Sequence, residues 1–397
     1  MKTKVLTGLQ RLLEEGDLQK RYPGKIGYLC HAASVTQDIE HGLIALKRVF
    51  GDRLTTVFGP QHGFVTDVQD NMVESKHFTH PYFGVTVYSL YSETRIPTQD
   101  MLKGLDHVFV DLQDVGTRIY TYIYTMTYMM EACQKAGVQV VILDRPNPID
   151  GVTLEGNILD MKFDSFVGRH PIPVRHGLTM GEVARMSKQF WTGRDCNLDI
   201  IEMKGWKRDM SYEDTGLPWV LPSPNLATVE AAYTFVGTVL FEGTNVSEGR
   251  GSTRSLEIVG HPAIEPFSFA DKMKRVLDSE GLKGQVLRPL VFLPTFQKHA
   301  GTPCGGFQIH VTDRKAFEPW RLCQTLCREF HRELGDEFVW KQPPYEYEYD
   351  RMPIDLINGT DKLRHWVEKH GTRDEYAAIM APGQNEYRAQ MREVALY

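Results

Sequence analysis

The strongest constraint on the fold of this chain is an alternation in its first half. Short apolar or β-branched runs, Lys25 to Cys30, Leu54 to Gly59, Val85 to Leu90, His107 to Asp111 and Val138 to Asp144, are separated by stretches with helical spacing. Parallel strands need long crossover connections, usually helices, so this alternation predicts an α/β fold built on a parallel sheet. Within Ile119 to Ala136, Tyr122, Met126, Met129, Met130 and Cys133 recur at helical intervals, which predicts one buried helix face. The pattern continues as a strand at Ile172 to Arg175, a helix at Thr179 to Trp191 and a strand at Leu198 to Met203. Three prolines in the nine residues 217–225 remove backbone donors and predict a rigid connector. A helix from about Val229 to Phe241 follows. Beyond it, strands and helices succeed one another without strict alternation through Leu256 to Val259, Phe267 to Leu277, Val286 to Phe292, Gly306 to Thr312 and Pro319 to Leu334. This order predicts a sheet domain over residues 1–240 and a smaller α+β auxiliary domain over 241–397.

Composition narrows the partners. The 51 acidic and 45 basic residues are interspersed, with no Lys/Arg run of the kind that tracks phosphates, so nucleic acid is not expected. Met1 to Gln19 reads as an amphipathic helix rather than a signal peptide. No apolar run approaches the roughly 18 residues of a membrane span, so no membrane association and a cytoplasmic location are expected. Cys30, Cys133, Cys196, Cys304, Cys323 and Cys327 show no paired CxxC spacing and are expected as reduced thiols. Cys323 and Cys327 lie one helical turn apart and are expected in the core rather than on a metal.

In an open parallel sheet the ligand binds beyond the carboxyl ends of the strands. Four expected strands end in polar residues: Pro60-Gln61-His62-Gly63, then Tyr91-Ser92-Glu93, then Gln113 to Arg118, then Asp144-Arg145-Pro146-Asn147. Any one such end can be an ordinary turn. Four together point to a shared pocket. No Gly-x-Gly-x-x-Gly joins a strand to a helix, so nicotinamide and flavin cofactors are not expected, and without a P-loop, Gly-x-Ser-x-Gly or His-Glu-x-x-His pattern, phosphoryl transfer, the serine-hydrolase elbow and zinc-protease chemistry lack their usual markers. Carboxylates, amides, tyrosines and arginines remain, the inventory of a sugar site. Glycoside cleavage needs a carboxylic acid and usually a second carboxylate, and Glu74, Glu93, Asp114, Asp144 and Glu155 are eligible. Asp144 reads most simply as charge-paired with Arg145, and Asp114 as a cap for the next helix. The loop Glu242 to Thr253 interleaves Glu242, Asn245, Glu248 and Arg250 with glycines, letting backbone and side chains approach a ligand. Arg118, Arg175 and Arg250 could each hold a carboxylate in a bidentate pair.

Six motifs in order carry a resemblance to a known family: Gly59 to Gly63, Asp111 to Arg118, Asp144 to Pro148, Pro171 to Gly177, Leu221 to Asn225 and Glu242 to Gly251. The chain resembles the exo-β-N-acetylmuramidase family of glycoside hydrolases, formerly a domain of unknown function. The resemblance implies a Rossmann-like catalytic domain, a smaller auxiliary domain and a cleft between them closed by the 242–253 loop. It implies removal of N-acetylmuramic acid from the non-reducing ends of peptidoglycan fragments, in cell-wall recycling, without metal or cofactor. In the family pattern a glutamate stands where this chain has Gln61, and an amide cannot exchange a proton at neutral pH as a carboxyl does. Glu74 is then the leading acid/base candidate beside Gln61 and His62. Tyr91, Gln113, Asp114, Arg118, Asp144, Asn147, Arg175, Glu242, Asn245, Glu248 and Arg250 are expected to bind the sugar. A non-catalytic muropeptide binder, or a hydrolase of another amino sugar, is the alternative that Gln61 keeps open.

Overall fold

The computed structural model describes residues 4–67, 69 and 73–397. Its first sheet contains β1 (Ile26–Cys30), β2 (Leu54–Gly59), β3 (Phe78–Thr79), β4 (Thr86–Ser89), β5 (His107–Asp111), β6 (Gln139–Leu143) and β7 (Leu198–Ile201) in the order β3-β4-β2-β1-β5-β6-β7. Every pairing is parallel except that of β3 with β4. β1 and β5 are buried along their whole length, which is why their sequences are almost unbroken apolar runs. Helices Gly42–Phe50, Tyr122–Ala136 and Met180–Phe190 form the crossovers. Tyr122–Ala136 is buried well beyond the expected stripe, with Ile123, Tyr124, Thr125, Thr127 and Ala132 also inside, and Arg169 and His170 cover its Tyr124 and Thr127.

The strand order reverses between β1 and β5, the usual ligand crevice of such a sheet. Here that crevice is filled. Asp111 accepts from Arg145 Nε at 2.5 Å and Nη2 at 3.0 Å, and from the Tyr28 hydroxyl at 2.6 Å, all of them buried. The expected pairing of Arg145 with Asp144 is therefore corrected. Asp144 instead accepts from the Gly181 amide, the Thr179 hydroxyl and the Tyr397 hydroxyl at 2.8, 2.7 and 2.8 Å, anchoring the start of helix Met180–Phe190. Asp114 closes a turn on the Gly116 amide at 2.7 Å and caps no helix, since the next helix begins only at Tyr122. The strand expected at Ile172 to Arg175 is also absent. Pro171 and Pro173 remove donors on alternate residues, and only isolated bridges from Arg175 to Thr117 and Glu155 form.

The second sheet is antiparallel, with β8 (Ile258–His261), β9 (Gln285–Phe292) and β10 (Cys304–Val311) in the order β8-β10-β9. Helix Val229–Thr238 packs on helix Pro319–Leu334, which buries Cys323 and Cys327. All six cysteines are free. The fold is thus a mixed α/β N-terminal domain followed by a smaller antiparallel-sheet domain. One hydrophobic core runs through both, from Val108 and Ile142 past Phe235 to Phe307 and Trp320. No described helix is long and apolar enough to cross a membrane, and no group of three or more His, Cys, Asp or Glu among the described residues could hold a metal.

Candidate active site

After β2 the chain turns through His62 and Gly63, whose φ angles of 67° and 74° are left-handed, and the Gly63 amide closes the turn on the Pro60 carbonyl at 2.9 Å. This turn buries the Gln61 side chain. The Thr121 hydroxyl donates to Gln61 Oε1 at 2.7 Å and so fixes which way the amide faces. Its Nε2 then donates to Glu346 Oε1 at 3.3 Å. The Tyr91 hydroxyl, just past β4, donates to the other oxygen, Glu346 Oε2, at 2.9 Å. Segments following β2, β4 and β5 therefore meet a carboxyl that lies 285 residues beyond Gln61 in the chain.

Glu346 stands on a tight turn in which Tyr345 and Glu348 exchange both backbone hydrogen bonds at 2.9 Å. Its central residues, Glu346 and Tyr347, have φ of 45° and 69°. Such turns favour Asn-Gly because a Cβ crowds the following carbonyl, so a Glu-Tyr pair costs about 1–2 kcal/mol per residue. Neighbouring contacts hold it in place. The Tyr345 hydroxyl donates to Glu242 Oε2 at 2.7 Å, and the Arg95 guanidinium lies 3.5 Å from the centre of the Tyr347 ring. Arg95 Nη1 is buried and makes no hydrogen bond.

Gln61, Tyr122, Ser223, Glu242, Arg250 and Glu346 bound a cavity of about 50 Å³. Two carboxyls thus face one space, and their surroundings drive them apart. Burial pushes the Glu346 carboxyl up to about 7, and the charge of Glu242 adds to the rise against the hydrogen bonds from Tyr91 and Gln61. Burial also acts on Glu242, but Arg250 and the Tyr345 hydroxyl outweigh it and hold that carboxyl below its ordinary range. Arg250 Nη2 lies 2.5 Å from Glu242, Arg250 Nε 3.1 Å from Glu248, and Lys298 Nζ 2.7 Å from Glu248. A carboxyl that keeps its proton beside one that stays charged is the division of labour of acid–base catalysis.

Of the residues expected from sequence, Gln61, His62, Glu242 and Arg250 line the cavity, while Tyr91 and Glu248 stand one bond behind it. Glu74 is exposed and accepts from the Tyr347 hydroxyl at 3.1 Å, outside the cavity lining. Asn245 ties its loop to the Glu337 carbonyl and the Val339 amide. Gln113 donates to the carbonyls of Asp114 and Pro146, Asn147 to that of Leu178, and Arg175 pairs with Asp150 at 2.7 Å. Arg118 is fully buried and donates to the carbonyls of Asn157, Ile172, Ile357 and Asn358. With Asp114 and Asp144 these side chains hold backbone and lie off the cavity lining. Sequence reasoning does not reach Thr121, Tyr122, Ser223, Tyr345 and Glu346. In the sequence, Tyr345 to Tyr349 reads only as a short tyrosine-rich stretch, and the alternation of Glu and Tyr after Pro343-Pro344 is its one signal.

Two family models match the chain from residue 26 onward. Residues 26–230 match the exo-β-N-acetylmuramidase NamZ N-terminal domain, and residues 233–397 match its C-terminal domain. A peptidoglycan β-N-acetylmuramidase NamZ from Bacillus subtilis (strain 168) is 43% identical over 339 residues, which cover 85% of this chain and 80% of that protein. A crystal structure of a DUF1343 family protein from Bacteroides fragilis superposes with a TM-score of 0.87 at 28% identity, covering 99% of both chains. A second such protein from the same organism superposes with a TM-score of 0.74 at 28% identity, covering 100% of this chain and 99% of that one.

Proposed function

The chain belongs to the NamZ family of exo-β-N-acetylmuramidases, and on that premise we propose that it removes N-acetylmuramic acid from the non-reducing ends of peptidoglycan fragments with Glu346 as proton donor. The observation that carries the assignment is the burial of Glu346 in hydrogen-bond reach of Gln61, on the same cavity as an ionised Glu242. Protonated Glu346 delivers its proton to the glycosidic oxygen as that bond breaks. Glu242 remains charged and stabilises the positive charge that develops on the sugar, or draws a proton from the attacking water. Gln61 cannot act as an acid, and its role is to orient Glu346 through its N–H. Glu74, on the rim, is left to contact the substrate.

Muramic acid carries a lactyl carboxylate, which calls for a cation near the acid. Arg118 and Arg175 also keep buried unpartnered nitrogens, but both are fully buried away from the cavity lining and spend their other donors on backbone carbonyls and Asp150. Arg95, with its buried unpartnered Nη1 and its stack on Tyr347, is the arginine we assign to that carboxylate. Arg95→Ala should lower kcat/KM for a chromogenic muramide by about 10- to 100-fold more than it lowers that for the matching N-acetylglucosaminide, the worth of a charge-assisted hydrogen bond.

Release of sugar from a chromogenic muramide by Glu346→Gln tests the central assignment. A loss of about 100-fold or more with an unchanged circular dichroism spectrum is expected. Undiminished turnover sinks the role of Glu346. The amide at position 61 gives substance to the alternative of a pure muropeptide binder, which requires calorimetric binding by the native chain with no product formed. We also place the reaction in the cytoplasm, a reading supported by six cysteines that form no disulfide.

A further inference from the structure

A second cavity, of about 390 Å³, shares no lining residue with the first. It lies between Leu154-Glu155-Gly156, the beginning of helix Pro319–Leu334, and the helices Arg373–Met380 and Gln384–Val394. We propose that this cavity binds a small monoanionic carboxylate ligand with an apolar body, independently of the glycosidase site. Its volume falls within the roughly 300–1,000 Å³ typical of small-molecule sites.

The charges on its walls favour an anion. Arg321, Arg373 and Arg388 line it, against Glu318 and Glu155. Arg321 is engaged with Glu318 at 3.1 Å and with the Glu280 carbonyl. Arg373 and Arg388 make no ion pair or side-chain hydrogen bond among the described residues, and both are exposed at the walls. Glu155 lies at the floor. Its Oε1 accepts from the Arg321 amide at 2.9 Å, while Oε2 is buried without any partner, a condition that native interiors rarely tolerate. Burial pushes this carboxyl up to about 8, so at neutral pH it holds its proton and can donate a hydrogen bond. Arg321 is paired with Glu318 and, at 3.6 Å, with Glu280, so Arg373 and Arg388 are the guanidinium groups left for a ligand. Arginine forks match a planar carboxylate in two parallel bonds. Leu154, Tyr376, Ala377 and Met380 supply the apolar wall for the rest of the ligand.

The test uses the intact chain and three probes in calorimetric or ligand-observed NMR titrations: 3-phenylpropionate, its neutral amide 3-phenylpropionamide, and inorganic phosphate. Saturable binding of 3-phenylpropionate is expected, weaker by about tenfold or more for the amide and by about tenfold or more in the double variant Arg373→Ala/Arg388→Ala. The double variant should melt at the native temperature and cleave a muramide at the native rate. Absence of saturable carboxylate binding overturns the proposal, as does equal binding of the amide, equal binding by the double variant, or binding of phosphate in preference to the carboxylate. Because the readout is ligand binding, failure of the glycosidase reading leaves these outcomes intact.

Discussion

At position 61 an amide faces the carboxyl of Glu346, and the chemistry of the pair follows from which of the two can hold a proton. Gln61 Nε2 and the Tyr91 hydroxyl both donate to Glu346, and both favour its charged form, so each opposes the rise that burial causes. Tyr91→Phe removes one donor and should raise the Glu346 pKa. Gln61→Glu exchanges a donor for a second carboxyl and should raise it further, since two neighbouring carboxyls cannot both ionise freely. A proton donor is lost as pH rises through its pKa. The alkaline limb of kcat/KM should therefore fall near 7 in the native chain and move upward in both variants, by about one unit or more in Gln61→Glu. A pH–rate profile of each variant decides the matter, and a limb that stays in place or moves down contradicts the assignment.

Among the elements, the regular ones are legible in sequence and the irregular ones are not. β2 and β5 run over the residues that their apolar patterns mark, and helix Pro319–Leu334 does the same, because periodicity records burial directly. The 172–175 stretch misleads because an apolar alternation there is interrupted by prolines that no ladder can use. Polar strand ends mark the side of the sheet where the site lies, yet residues such as Arg118 and Asn147 turn inward to satisfy backbone, a choice made by tertiary contacts alone. Glu346 leaves no periodic trace, since a two-residue turn has no period. The capping of helix Met180–Phe190 is a case where a single element carries measurable stability. The Thr179 hydroxyl serves both as N-cap for Glu182 and as donor to Asp144. Thr179→Ala should cost about 1–2 kcal/mol in urea denaturation, more than an exposed cap, because it also leaves a buried Asp144 oxygen short of a donor.

For the whole molecule, the position of Glu346 links activity to stability. Its ordinary pKa of 4.5 becomes about 7 in the fold, so the folded chain holds this proton more tightly than the unfolded chain does. The penalty is absent below the unfolded value, grows as pH rises through the window between the two, and levels off above 7 at about 3 kcal/mol. Glu346→Gln lacks that penalty. The stability of the variant minus that of the native chain should rise between about pH 5 and 7 and then stay flat, as followed by urea titration at several pH values. A flat or falling difference over that window removes Glu346 from the buried acids.

The turn that bears Glu346 also sets when the molecule can first act. Gln61, Tyr91 and Thr121 are made more than two hundred residues before the carboxyl they surround, and the core that seats it draws on helices later still. A ribosome-bound chain carrying the complete first sheet therefore has a receptor for the acid without the acid. With Glu346 as the proposed proton donor, cleavage begins only once the second sheet and the turn that follows it have been made and folded.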